Sequence, residues 1–357
     1  MMPRFVEASN RTYSRVIKWL TIGGLVMTLL SSLSNAEAQF PQAEIHNKQL
    51  KVTIALPDAQ KGFYKGVRFD WSGAVTDLEF AGHHLYRPWF SFADASVPDF
   101  IYKDGNIVAG MNSSMTGPSE EFQTAIGYAE AAPGGTFLKV GVGILRKIDT
   151  KPYRFTTHFD IVDGGKWTVK KTSSSITFTQ VLGGPGSDYG YIYTKTIRLL
   201  GDTSQMVIEH HLKNTGKLAI ATPVYDHNFL TIDGLPVGKA YSITVPYDLK
   251  PTHAPDVKFI KIDGKTASYI TDLQGQDRAA FGLQGFGSDA KDYDFAVTNR
   301  AAGIEVHVRG DHPLTDAVVW SIRSILAVEP FIQVQADPGN EFDWSYSYTY
   351  SNVKKQP

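Results

Sequence analysis

The 357-residue chain contains no cysteine. That single absence excludes disulfides, thiolate metal centres and thiol nucleophiles together. Neither sign of charge is in excess, with 35 Lys and Arg against 36 Asp and Glu. No basic surface therefore points to a nucleic acid or an anionic membrane as partner. Several enzyme signatures are also missing: Gly-x-Ser-x-Gly, the phosphate-binding Gly-rich loop, the dinucleotide fingerprint and His-Glu-x-x-His. Beyond residue 38 the 3.6-residue apolar period of a helix is almost absent.

The N-terminal segment is organised differently. Arg4, Arg11, Arg15 and Lys18 precede a mostly apolar run from Leu20 to Leu33, which leads to Ala36-Glu37-Ala38. Basic start, apolar centre and small-residue site, in that order, predict a secretory signal peptide of residues 1–38. An N-terminal anchor is the alternative, but the apolar run is short against the ~20 residues of a span. Export to the periplasm or the medium follows, and without cysteine there is no lipobox. Removing residues 1–38 takes away four basic and two acidic residues and leaves the balance slightly acidic. A large exported domain without cross-links must rely on its core, which is feasible at this size.

What is present is period 2. Phe155, Thr157, Phe159 and Ile161 alternate with Thr156, His158, Asp160 and Val162. Met206, Ile208, His210 and Leu212 alternate with Val207, Glu209, His211 and Lys213. Ile304, Val306 and Val308 alternate with Glu305, His307 and Arg309. These read as half-buried antiparallel strands. Turn signals separate them at Asp163-Gly164-Gly165, Gly183-Gly184-Pro185-Gly186, Asn214-Thr215-Gly216, Asp233-Gly234 and Asp263-Gly264. The expectation is one all-β domain over residues 39–357, a large antiparallel sandwich.

One carboxylate stands in an awkward place. Glu329 lies within Ala327-Val328-Glu329-Pro330-Phe331-Ile332-Gln333-Val334, an otherwise apolar run. Burial disfavours its charged form unless a partner compensates, a situation enzymes use for acid–base work near neutral pH. A buried Glu paired with Arg, or an exposed strand-end Glu before Pro330, is the structural alternative. The second candidate is His227, in Pro223-Val224-Tyr225-Asp226-His227-Asn228-Phe229-Leu230. Its alternative is a satisfied core histidine. Glu120 and Glu121 follow Gly117-Pro118-Ser119, where paired acids commonly mean solvated surface. Arg68 and Trp71 combine a cation with an aromatic face, as sugar sites often do. The pairs His83-His84 and His210-His211 are poor chelators, because strand neighbours point to opposite faces.

Together these pieces resemble the aldose 1-epimerase (galactose mutarotase) family. Tyr225-Asp226-His227-Asn228-Phe229-Leu230 is similar to the family's Asn-His-Thr-Tyr-Phe-Asn-Leu signature. Val245-Pro246-Tyr247-Asp248-Leu249-Lys250-Pro251, after Pro236-Val237-Gly238, resembles its Pro-Thr-Gly … Pro-Phe-Asp-Leu-Arg stretch. Val328-Glu329-Pro330, Pro338-Gly339-Asn340-Glu341-Phe342 and the alternating Tyr346, Tyr348 and Tyr350 resemble its terminal strands. The resemblance implies a supersandwich fold and a sugar cleft, with His227 as general acid, Glu329 as general base and Asp248 on sugar hydroxyls. It departs from the family in its first half, where no matching histidine stands, and at Asp226, where the family has Asn. Arg68, Glu120 or Glu121, together with Asp226, would then supply the remaining sugar contacts.

The resemblance thus implies an isomerase that exchanges sugar anomers by opening and reclosing the hemiacetal ring. A base takes the C1 hydroxyl proton while an acid protonates the ring oxygen. A desolvated Glu and an imidazolium suit that task, and no cofactor or metal is called for. The expected partner is a small carbohydrate, with no nucleic acid and no membrane insertion after cleavage, and the protein as a monomer or dimer. Two other functions fit the same scaffold: non-catalytic carbohydrate binding, and polysaccharide processing. A hydrolase would need a second carboxylate at a set distance from Glu329.

Overall fold

The computed structural model describes residues 40–183 and 187–355. The expected signal peptide, and Gly184-Pro185-Gly186 of one expected turn, lie outside the described residues. Among the described residues there is no α-helix, and strands account for nearly all regular structure.

The alternating segments form strands as their period requires. Gln205–Asn214 is buried at every second residue, as are Tyr191–Leu199, Ile304–Gly310 and Glu341–Asn352. They belong to a ten-stranded antiparallel sheet, here the long sheet. Its order is Lys166–Lys171, Ser175–Leu182, Tyr191–Leu199, Gln205–Asn214, Glu341–Asn352, Ile304–Gly310, Asp294–Asn299, Tyr241–Thr244, Thr266–Tyr269 and Ile260–Asp263. The last two strands close through a two-residue loop after Asp263, where Gly264 has φ +55°. That left-handed conformation suits glycine and matches strand twist in a tight hairpin. Tyr346, Tyr348 and Tyr350 point inward and are fully buried.

A second antiparallel sheet of five strands lies against it, here the site sheet. Its order is Arg278–Gly282, Asp316–Ile322, Ile325–Ala336, Ile220–Leu230 and Gly117–Phe122. Val224, Val328, Ile332 and Val334 turn toward the long sheet and pack in one core with Ile208, Leu212 and Tyr348. Each fully buried aliphatic side chain there contributes roughly 1.5–3 kcal/mol. The opposite face of the site sheet carries its own apolar cluster, including Phe69, Trp89, Phe229 and Ile322. Smaller sheets and loops, among them Phe92–Ala93, Phe100–Lys103 and Asn106–Ala109, hang over that face.

One expected strand is not formed. The alternating run 155–162 becomes strand only at Ile161–Asp163. Before that, Thr157 N–H bonds Arg154 O in a turn. The Asn112 side-chain amide donates to Phe155 O and Thr157 O at 2.8 and 2.9 Å. One amide thus takes the carbonyls that a neighbouring strand would otherwise need, and the segment is free to wrap the site instead.

Candidate active site

The site is built on the centre of the site sheet, on the face turned away from the long sheet. Ile220–Leu230 and Ile325–Ala336 pair antiparallel, with Tyr225 opposite Phe331 and Asn228 opposite Val328. The same register sets His227 opposite Glu329. Hydrogen-bonded pairing lapses at the two intervening positions, where Pro330 has no N–H to offer. His227 Nε2 lies 3.3 Å from Glu329 Oε1, with side-chain exposures of 5 % and 12 %. The His227 ring stacks on Phe229, two residues along on the same face, at 3.6 Å between centroids. Phe69 meets it edge-on at 5.6 Å.

Next to this pair sits a charged post. Arg68 Nε donates to Glu121 Oε2 at 2.5 Å, and its Nη2 donates to the Tyr225 hydroxyl at 2.8 Å. Tyr225 in turn donates to Glu121. Lys139 lies 3.5 Å from the other Glu121 oxygen. The Arg68 guanidinium also stacks over Phe155, 4.0 Å from the ring centre, a planar contact that lysine could not make.

The two cleft glutamates are thereby pushed apart in acidity. Burial pushes the Glu329 carboxyl up to about 7; Arg68 pulls against this, Glu121 adds to it and Arg278 opposes it. Burial raises Glu121 as well, but Arg68 and Lys139 outweigh it and hold that carboxyl below its ordinary value. Burial, then the Arg68 charge, holds the His227 imidazole well below its ordinary value. The imidazolium expected from sequence is thus not the resting state. Below about pH 7 the pair's exchangeable proton sits on Glu329, beside a neutral imidazole.

The pair opens into a cleft of two lobes. The first, a cavity of about 340 Å³, is lined by both His227 and Glu329, with Trp89, Phe100, Trp320 and Arg278 around them. The second, of about 480 Å³, is lined by Glu329 with Tyr225, Phe331, Tyr153 and Arg154. Arg68, Phe155 and Glu329 line both. Aromatic walls with a few polar groups are the usual make-up of a small-ligand site.

Strand alternation decides the fate of the other expected site residues. Glu121, Tyr225, His227 and Glu329 share the cleft face. Glu120 and Asp226, their immediate neighbours, point the other way, into the space between the sheets. Glu120 bonds Lys195 and lies 2.8 Å from His210 Nε2. Asp226 accepts from Tyr348. Neither lines either lobe, so the expectation that they contact sugar is corrected. The surface reading of the 120–121 pair is also corrected, since both side chains are buried. Asp248 is exposed, after Tyr241–Thr244, and lines neither lobe. It is His253, five residues on, that reaches the first lobe. Trp71 is buried and donates to Gly66 O at 2.8 Å, a packing role.

The sequence offered no sign of Trp89, Phe100, His253, Arg278 or Trp320. Each comes from a different segment, and only the fold assembles them. The stretch Tyr153-Arg154-Phe155 was the one available hint, a cation between aromatics. Among the described residues, Asp77, Glu79 and His84 have donor atoms within 4.8 Å of one another, as a metal site requires. Their groups already engage one another and nearby cations: His84 Nδ1 lies 2.8 Å from Asp77, which also meets Arg87, and Lys51 meets Glu79. In the other histidine pair, His210 faces Glu120 inside and His211 faces Asp343 outside, on opposite faces as the strand period demands.

Neither protein-family models nor curated protein sequences match this chain. Solved structures do resemble its fold. The chain is similar to the Slr1438 protein of Synechocystis sp. PCC 6803, with TM-score 0.50 and 11 % identity over 88 % of this chain and 97 % of that one. It is also similar to a presumptive aldose 1-epimerase of Escherichia coli K12, with TM-score 0.51 and 10 % identity over 87 % of this chain and 99 % of that one. At such identities the likeness is one of fold, and the fold is a large antiparallel β-sandwich.

Proposed function

We propose that the protein is a carbohydrate isomerase of the aldose 1-epimerase type, which interconverts the anomers of a reducing sugar. The observation that supports this is the Glu329–His227 pair, 3.3 Å apart in a desolvated aromatic cleft. Anomer exchange needs one acid and one base on the same C1–O5 edge. With the sugar in the first lobe, the proton on Glu329 passes to the ring oxygen while neutral His227 accepts the C1 hydroxyl proton. The C1–O5 bond breaks, the aldehyde turns about C1–C2, and the ring recloses with both transfers reversed. Each group donates in one half-reaction and accepts in the other, so the pair needs one proton rather than a fixed owner for it. The family resemblance names His227 as acid and Glu329 as base; the resting proton distribution favours the opposite start.

The test is polarimetry or NMR exchange on freshly dissolved α-aldoses. The protein should accelerate equilibration, and Glu329→Gln should reduce the rate by about 10²–10⁴-fold while calorimetry still detects sugar binding. Binding without acceleration across a panel of neutral and acidic aldoses would instead identify a non-catalytic sugar-binding protein. A second reading has one observation in its favour: Glu121 is a second carboxylate in the cleft, ionised where Glu329 is protonated, as glycoside hydrolysis requires. Against it, Arg68, Tyr225 and Lys139 already occupy both Glu121 oxygens. Release of new reducing ends from oligosaccharides would decide for hydrolysis.

A further inference from the structure

Resting on that reading, we infer that the sugar is an acidic one, a uronate whose carboxylate is received by Arg278 in the first lobe. Arg278 opens the edge strand Arg278–Gly282, opposite Ile322, with Ala280 opposite Trp320. Strand alternation therefore places Arg278 on the same face as Trp320, and both line the lobe that holds His227 and Glu329. Among the described residues its guanidinium has no carboxylate or hydrogen-bond partner.

The contrast with Arg68 is informative. Arg68 lines the same lobe, but its fork is taken by Glu121 and Tyr225. Outside the pair, the lobe's one acidic side chain is Asp99, which accepts from Ser113 Oγ at 2.5 Å. Arg278 is solvent-exposed, and its unengaged guanidinium, on the lobe that Trp89, Phe100 and Trp320 also line, is a fork that a planar carboxylate fills with two parallel hydrogen bonds. In a uronate the carboxylate sits on C5, next to the ring oxygen. Holding it at Arg278 presents the C1–O5 edge to Glu329, whose proton affinity Arg278 is near enough to lower. A phosphate ester would place a larger charge on a longer arm, and the lobe has no lysine to share it.

NMR exchange rates for glucuronate and galacturonate, against glucose, galactose and glucose 6-phosphate, test the assignment. The uronates should be preferred, and Arg278→Ala should lower their kcat/KM by about 10–100-fold, as loss of a charge-assisted pair does. Turnover of neutral sugars should fall by much less, because a neutral sugar brings no carboxylate for Arg278 to receive. Arg278→Lys should recover only part of the loss, and Arg154→Ala, in the other lobe, should leave the preference intact. Equal rates for uronates and neutral sugars, preference for glucose 6-phosphate, an equal loss for all sugars in Arg278→Ala, or loss of preference in Arg154→Ala would each overturn the inference. If no sugar is turned over, the isomerase reading fails separately. Calorimetry then decides: uronate binding that Arg278→Ala abolishes still supports the inference, and uronate binding that it leaves intact overturns it.

Discussion

The two faces of the site sheet bury the same chemistry and put it to different uses. On the inner face Glu120 is enclosed with Lys195 and His210. Burial raises its carboxyl, but Lys195 and His210 more than reverse this and hold it at about 2. On the outer face Glu329 is largely buried, yet among the described residues it has no Lys or Arg in contact, and it rises to about 7. Depth of burial runs the wrong way to explain this, since Glu120 is 0 % exposed and Glu329 12 %. A bonded cation explains it, turning one carboxylate into a fixed charge of the fold and leaving the other with a proton it can exchange.

The comparison can be broken most severely by removing each carboxylate. Glu120→Gln should destabilise the protein by about 3 kcal/mol, because it leaves the buried Lys195 charge with Asp70 alone, 3.8 Å away. Glu329→Gln should do the reverse at pH 8, raising stability by about 2 kcal/mol in denaturant melts while removing activity. If both substitutions destabilise alike, the two faces do not differ as described.

Acidity sharpens the contrast. A raised carboxyl contributes stability below its unfolded-chain value and loses it as pH rises through the folded value. For Glu329 that window runs from about 4.5 to about 7. Glu120, held low, contributes above about 4.5 and loses its contribution only as pH falls toward about 2. Activity should follow Glu329 alone, falling as pH rises through about 7, when the pair gives up its last proton. A rate that rises through that range would contradict the proton placement. The smallest effect is expected at Asp248: Asp248→Asn should change kcat/KM by less than about 2-fold, as exposed positions away from a site generally do.

Much of the fold was legible, because antiparallel strands write their burial into every second residue. Gln205–Asn214 and Ile304–Gly310 followed directly from that period. Glu329 and His227 were legible as a carboxylate and an imidazole inside apolar runs. The same period, applied consistently, would have separated Asp226 from His227 and Glu120 from Glu121, since adjacent strand residues cannot share a face. Asp226 was carried along by the linear motif that holds His227, and Glu120 was kept beside Glu121 as an alternative where that motif fails. Arg278, Trp320 and His253 were not legible, because their roles depend on which strands neighbour one another. The 155–160 segment misled because its aromatics pack without a strand partner, Phe155 against Arg68 and Phe159 against Phe137, while Asn112 takes the backbone carbonyls.

Because neighbouring residues on Gly117–Phe122 and Ile220–Leu230 serve opposite faces, those strands have almost no room to drift. A slip of one position would carry Glu120 into the cleft and Glu121 into the interior, breaking the ion cluster and the site at once. The sheet therefore tolerates no such slip, and a change of ligand preference has to come from elsewhere in the cleft. The wall from Tyr153 to Thr156, hung from one asparagine, and the edge that carries Arg278 are where such a change can occur without the chemistry noticing.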